Sequence, residues 1–223
     1  MNLQDVMTTL ESLGTEQNRK TYQRHGSGPN VFGVSFAHLK TLAKKIKRDH
    51  ELATELWDTK NVDAQALATM ILEPEKLDEK IASKWIDGID YSLLAGLLAG
   101  CIAQSKFKDK AIAEWTNSKD EYIKQCGYDT ITHVLKQDNN LSDSECRNFL
   151  SKIESEIKSS PNKARYAMNN TLIAIGSYKP NLTKDALDLS ERLGKVEVDH
   201  GNTSCKTPDA KSYILKARAK FSD

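Results

Sequence analysis

The amino-acid sequence predicts an all-α protein, an α-solenoid of HEAT- or armadillo-like repeats that winds as a right-handed superhelix around a concave face. Three observations predict it. Apolar residues recur at the helical period in nearly every segment, no stretch sustains the two-residue alternation of a half-buried strand, and a tryptophan-to-aspartate joint recurs along the chain. The joints are Trp57-Asp58-Thr59-Lys60-Asn61-Val62-Asp63, Trp85-Ile86-Asp87-Gly88-Ile89-Asp90 and Trp115-Thr116-Asn117-Ser118-Lys119-Asp120. In each, a tryptophan closes one helix and an acidic residue opens the next. A fourth, weaker joint runs through residues 157–162. Helix pairs of this kind cannot bury their apolar faces alone, so they stack, and the second helix of each pair lines the concave side.

Taken in order, helices are expected over about 3–13, 16–24, 35–48, 50–57, 62–72, 76–86, 91–104, 107–115, 119–136, 143–158, 161–178, 183–193 and 208–220. In the third, Phe36, Leu39, Leu42, Ala43 and Ile46 share one face, Lys40, Lys44 and Lys47 line another, and Ser35 is the N-cap. Residues 25–30 form a loop that follows no strand and carries Pro29, so it is not a phosphate-cradling glycine motif. The segment 195–209 reads as an ordered loop in which Gly201 and Asn202 turn the chain, Thr207 caps the last helix and Pro208 takes its first position. The whole 223-residue chain is expected to be one domain, with repeats over about 1–178 and C-terminal helices and the tail loop over 179–223.

Composition narrows the function. No apolar run approaches the roughly 18 residues of a membrane span, and the first residues lack the basic-then-apolar order of a signal peptide, so a soluble cytoplasmic monomer without membrane contact is expected. The four cysteines show no CxxC spacing. Asp199, His200 and Cys205 are residue types that ligate metals, but their spacing fits no common zinc pattern, and neither metal nor cofactor is expected. No nucleophile-and-base pattern stands out.

Charge is segregated beneath a net charge of only +1. Residues 17–48 hold Arg19, Lys20, Arg24, Lys40, Lys44, Lys45, Lys47 and Arg48 and no acid, whereas 51–98 hold ten acids against four lysines. Clustered cations of this kind displace condensed counterions from phosphates. The expected nucleic-acid contacts are therefore Lys40, Lys44, Lys47 and Arg48 at one end and Lys163, Arg165 and Lys206 at the other. Asn169 and Asn170 are poor mid-helix residues in an otherwise apolar helix and are expected to line the groove. Asp199, His200, Asn202 and Thr203 crowd hydrogen-bonding groups into the tail loop as further candidates.

Tyr22-Gln23-Arg24-His25-Gly26, then Val31-Phe32-Gly33-Val34-Ser35-Phe36, Leu39-Lys40-Thr41-Leu42-Ala43-Lys44, and the Trp57, Trp85 and Trp115 repeats leading to Tyr122-Ile123-Lys124-Gln125 together resemble the DNA alkylation repair family, the AlkD-like HEAT-repeat 3-methyladenine glycosylases. The resemblance implies a DNA-binding solenoid. It also implies three functional positions: a Trp-x-x-x-Asp pair falls on Tyr91 and Ala95, an arginine on Gln125 and a later tryptophan on Ile173. These departures remove the carboxylate and count against base excision, leaving Asp90, expected to cap its helix, and Tyr91 as the catalytic candidates. The expected function is recognition of duplex, damaged or branched DNA through its backbone. The alternatives are a protein-interaction scaffold on the same concave face and a glycosylase for alkylated purines that uses a different residue set.

Overall fold

A computed structural model describes residues 1–137 and 140–221. Thirteen α-helices and two short 3-10 turns, and no strand, make up the described residues. They pack as two compact units. The first is Met1–Phe107 with His200–Ser204, and the second is Lys108–Asp199 with the chain from Cys205 onward.

The first unit holds α1 (Leu3–Leu13), α2 (Glu16–Arg24), α3 (Phe36–Ile46), α4 (His50–Asp58), α5 (Val62–Ile71), α6 (Glu79–Asp87) and α7 (Ser92–Ile102). Its centre is α5, which packs against α3, α4 and α7 and is buried on every side except at Met70. Trp57 at the end of α4 and Trp85 at the end of α6 stack face to face, with ring centroids 4.2 Å apart, so the repeated tryptophan joins consecutive helix pairs.

The N-terminal motif owes its shape to one carboxylate. Asp63, in the first turn of α5 and 1% exposed, accepts backbone N–H bonds from Phe32 (2.6 Å), Gly33 (3.0 Å) and Val34 (2.8 Å). The Tyr22 hydroxyl then donates to the Val34 carbonyl at 2.6 Å. Gly33 adopts φ +83°, and a Cβ there would lie 2.5 Å from the Arg19 nitrogen and the Thr15 oxygen, so only glycine fits between α2 and the loop. Asn61 caps α5, and its side-chain amide also donates to Asn30 at 3.0 Å. The glycine-rich turn ahead of α3 is thus fastened by Asp63 and Asn61.

The second unit holds α8 (Lys108–Trp115), α9 (Glu121–Gln137), α10 (Asp143–Glu156), α11 (Asn162–Tyr178), α12 (Thr183–Leu193) and α13 (Ala210–Lys220). The long helices α9 and α11 form its spine, with α8 and α10 on the outside and α12 and α13 closing the end. Gly127 lets α9 cross the α8–α9 joint, since a Cβ would sit 2.7 Å from the Thr116 nitrogen. Inside, the Thr132 and Thr171 hydroxyls pair at 3.1 Å and Thr171 donates to the Tyr128 carbonyl.

Four local expectations change. Helix α3 stops at Ile46, and Lys47 is its C-cap at φ +68°, so Lys47 leaves the stripe of Lys40 and Lys44. Tyr91, not Asp90, holds the N-cap position of α7, with no side-chain cap bond, and Asp90 is exposed. Asp120 does fill the predicted role, accepting from the Tyr122 and Ile123 amides. At the last helix Asp209, not Thr207, is the cap, which moves Pro208 outside α13.

Candidate functional site

The basic segment resolves into paired and unpaired cations. Glu16 takes Arg19 at 2.9 Å and Lys20 at 3.5 Å. The Arg48 guanidinium donates to the Leu72 carbonyl, which ties the end of α5 back to the turn after α3. Lys40, Lys44, Lys45 and Lys47 are exposed and, among the described residues, have no carboxylate partner. On α3 the buried Leu39 and Leu42 fix which side faces in, and that orientation presents Lys40, Lys44 and Lys45 outward.

Helix α7 offers no charge on its open side. Ala95 is wholly buried and Tyr91 is 3% exposed, so both positions where the resemblance seeks functional side chains face the core. Burial, with Tyr22 and Asp63 adding to it, pushes the Tyr91 phenol up to about 12. The partly open positions are Ser92, Leu93, Gly96, Leu97 and Gly100, none ionisable. No carboxylate reaches the surface of this helix.

In the second unit the two spine helices each expose one narrow stripe. On α9, Tyr122, Asp129, His133 and Lys136 are the accessible positions along one side, and on α11 they are Lys163, Tyr166, Asn170 and Ile173. The spacing, three to four residues with one seven-residue step, makes each a single helical face. The Gln125 amide donates to Asp129 Oδ2 at 3.0 Å. Burial pushes the Asp129 carboxyl up to about 6, against the pull of that hydrogen bond and of Lys136. Tyr166 is hydrogen-bonded with Asn170. Its phenol is raised mainly by burial, with Cys205, Asp129 and Tyr213 near enough to contribute. Sequence reasoning misses Asp129: the resemblance directs the search for a carboxylate to position 95, and a helix buried almost all round gives periodicity no face to reveal.

Several of the predicted contact residues make hydrogen bonds within the protein. Arg165 donates to the carbonyls of Glu197 (2.9 Å) and Ser160 (3.0 Å), so its fork holds the tail segment rather than an open phosphate site. Asn169 is 1% exposed, and its amide donates to the Pro208 carbonyl at 3.0 Å, which removes it from the groove. Asn170, by contrast, lies on the open stripe. Lys163 is half-buried, and its backbone N–H donates to Glu121, which caps α11 from the start of α9. Asn162 grips the backbone of Asp199 at both its N–H and its C=O, each at 2.7 Å. Asp199 and Asn202 are exposed, His200 and Thr203 are half-buried, and the Thr203 hydroxyl donates to the His200 carbonyl at 2.8 Å. Lys206 is exposed. Among the described residues no three His, Cys, Asp or Glu side chains gather as a metal site, no disulfide joins the cysteines, and no helix is long and apolar enough to cross a membrane.

Stacked helix pairs, a tryptophan repeated at the joints and narrow open stripes on α9 and α11 define a HEAT-like helical-repeat protein. A solved structure from a new family of proteins related to the HEAT-like repeat DNA glycosylases with affinity for branched DNA structures superposes with a TM-score of 0.91, at 31% identity, over 99% of this chain and 95% of that one. Residues 6–214 match the family model of the DNA alkylation repair enzymes, and the chain belongs to that family. Uncharacterized proteins of Listeria innocua and Listeria monocytogenes are 31% and 30% identical over 220 residues, covering 95% of this chain and 95% of theirs.

Proposed function

We propose that this protein binds DNA, branched forms included, through its phosphate backbone, without the base-excision chemistry of the related glycosylases. The observation that carries the reading is the exposed set Lys40, Lys44, Lys45 and Lys47, unpaired among the described residues, in a chain whose solved relative has affinity for branched DNA. Lysines held outward on a helix neutralise phosphates without reading sequence. Helix α7 supports the second half of the proposal, because its open side carries only Ser92, Leu93, Gly96, Leu97 and Gly100. Stabilising a developing positive charge on a sugar takes a nearby carboxylate, and losing such a group costs about 3 kcal/mol or more, at least a hundredfold in rate.

The test has two arms. Titration of labelled plain and four-way-branched duplexes should give binding that weakens linearly in log salt. Chromatography of bases released from alkylated DNA under single-turnover conditions should show 3-methyladenine and 7-methylguanine release near background. Salt-insensitive binding, or none, would count against the first half, and robust release against the second.

One observation favours excision by a different residue set. Asp129 is a half-buried carboxylate on an open helical stripe, beside Gln125 and near Tyr166. If release is robust and Asp129→Asn abolishes it while DNA binding persists, that reading replaces ours.

A further inference from the structure

Helix α13 carries an aromatic feature that phosphate binding by α3 does not use. Among the described residues the exposed large apolar side chains are Met1, Tyr213, Leu215 and Phe221, and two of these, Tyr213 at 54% and Leu215 at 48%, lie within α13. Ala210 and Ile214 are its buried positions, and they set its orientation against α11. Tyr213, Lys216 and Lys220 follow at three- and four-residue steps, so they share one flank, while Leu215 falls on the other. Helix α13 packs against α11, and Tyr213 adds to the upward shift of Tyr166 on the open stripe of that helix. Lys206, exposed on the loop that leads into α13, extends the charge. Lys211 is engaged by Glu191 at 2.7 Å, but Lys206, Lys216 and Lys220 have no carboxylate partner among the described residues, and α13 itself contains no acid.

We propose that Tyr213, followed along the same flank by Lys216 and Lys220, is a stacking platform for an unpaired base of a single-stranded DNA segment. The inference rests on the DNA-binding reading above and deepens it by naming the form of DNA that this face takes. Lysines one helical turn apart, with Cβ atoms about 6 Å apart, offer successive phosphates two cations along one strand. The ring one turn before Lys216 offers a base its π-face. In a closed duplex the base faces are already stacked, and only edges and phosphates are open, so an outstanding aromatic ring gains nothing there. At a branch or frayed end the faces are exposed. Charge also argues against an apolar protein partner: Leu215 lies on the opposite flank, so the apolar side chains do not merge into one patch, and docking such a partner would desolvate lysines with no acid to meet them.

The full-length protein is titrated with a plain duplex and with the same duplex bearing a single-stranded tail that contains 2-aminopurine, a base whose fluorescence falls on stacking. Tyr213→Ala is expected to weaken binding of the tailed DNA about tenfold, within the range for one base stacked on an aromatic side chain, and to abolish the quenching. Tyr213→Phe should keep both, plain-duplex binding should not change, and Lys216→Ala with Lys220→Ala should lower the salt dependence for the tailed DNA alone. Circular dichroism establishes that each variant is folded, which the exposure of all three positions leads us to expect. Equal losses on both DNAs, or no loss on either, would overturn the platform while leaving the DNA-binding reading intact. If the unmodified protein binds neither DNA, both fall. If it sediments as a dimer and Tyr213→Ala is monomeric, the face belongs to a second copy of the chain and the proposal is wrong.

Discussion

Asp129 and Asp63 are both carboxylates on inner helices, and their surroundings give them opposite work. Asp63 is fully surrounded and spends both oxygens on the Phe32, Gly33 and Val34 amides. Burial still outweighs those three hydrogen bonds and holds its carboxyl above the ordinary range. Removing it strands buried N–H donors, at about 1–3 kcal/mol each, so Asp63→Ala should lower stability by about 3 kcal/mol or more, read as a drop in the urea midpoint. Asp129 accepts from the Gln125 amide, and its carboxyl is raised to about 6. The folded state therefore holds its proton more tightly than the unfolded chain, where the pKa is about 3.9. Its contribution to stability is fully present below about pH 4, falls as pH rises from there through 6, and is lost above. Asp129→Asn should accordingly be more stable than the parent by about 3 kcal/mol at pH 7.5 and no more stable at pH 4, as denaturant melts at the two pH values would reveal. A constant difference at both would mean that the carboxyl is not shifted by folding.

At the scale of the element, helices are readable because their apolar stripes face one way, and their ends are less so because capping is decided by single side chains. Ser35 is evident from sequence, whereas Asp209 lies two residues beyond the expected Thr207 and Asp90 does not cap at all. The stop of α3 at Lys47 is hidden because a left-handed lysine has no signature; φ +68° is a conformation that glycine reaches without strain. Nor can local pattern reveal that Asp63 fastens a loop 30 residues earlier, or that Arg165 and Asn169 serve the tail. Gly127 makes the element-scale prediction. A methyl group there would push against the backbone of Thr116 and the end of α8. Gly127→Ala should therefore destabilise the protein by about 1–3 kcal/mol through overpacking, despite alanine's better helix propensity. A thermal melt that moves upward would show that the α8–α9 joint yields.

For the molecule as a whole, the fold and family are legible in the repeats and the N-terminal motif, while the site is legible only in part. Charge segregation picks out Lys40 and Lys44, which are exposed, because a solvated face needs no tertiary knowledge. It also picks out Arg165, whose fork donates to backbone carbonyls, which an arginine is as ready to hold as phosphates. The family's catalytic positions point at Tyr91 and Ala95, which the packing turns inward, and pass over Asp129 and Tyr213, which face out. On the reading proposed above, phosphate binding by the lysines in and just after α3 drives DNA association. The most direct test replaces Lys40, Lys44 and Lys47 together with alanine and measures the dissociation constant for a branched duplex across a range of salt concentrations. The slope of log affinity against log salt should fall by about 0.9 for each phosphate that is no longer neutralised, with the helical circular dichroism unchanged. An unchanged slope in a folded variant would contradict that reading.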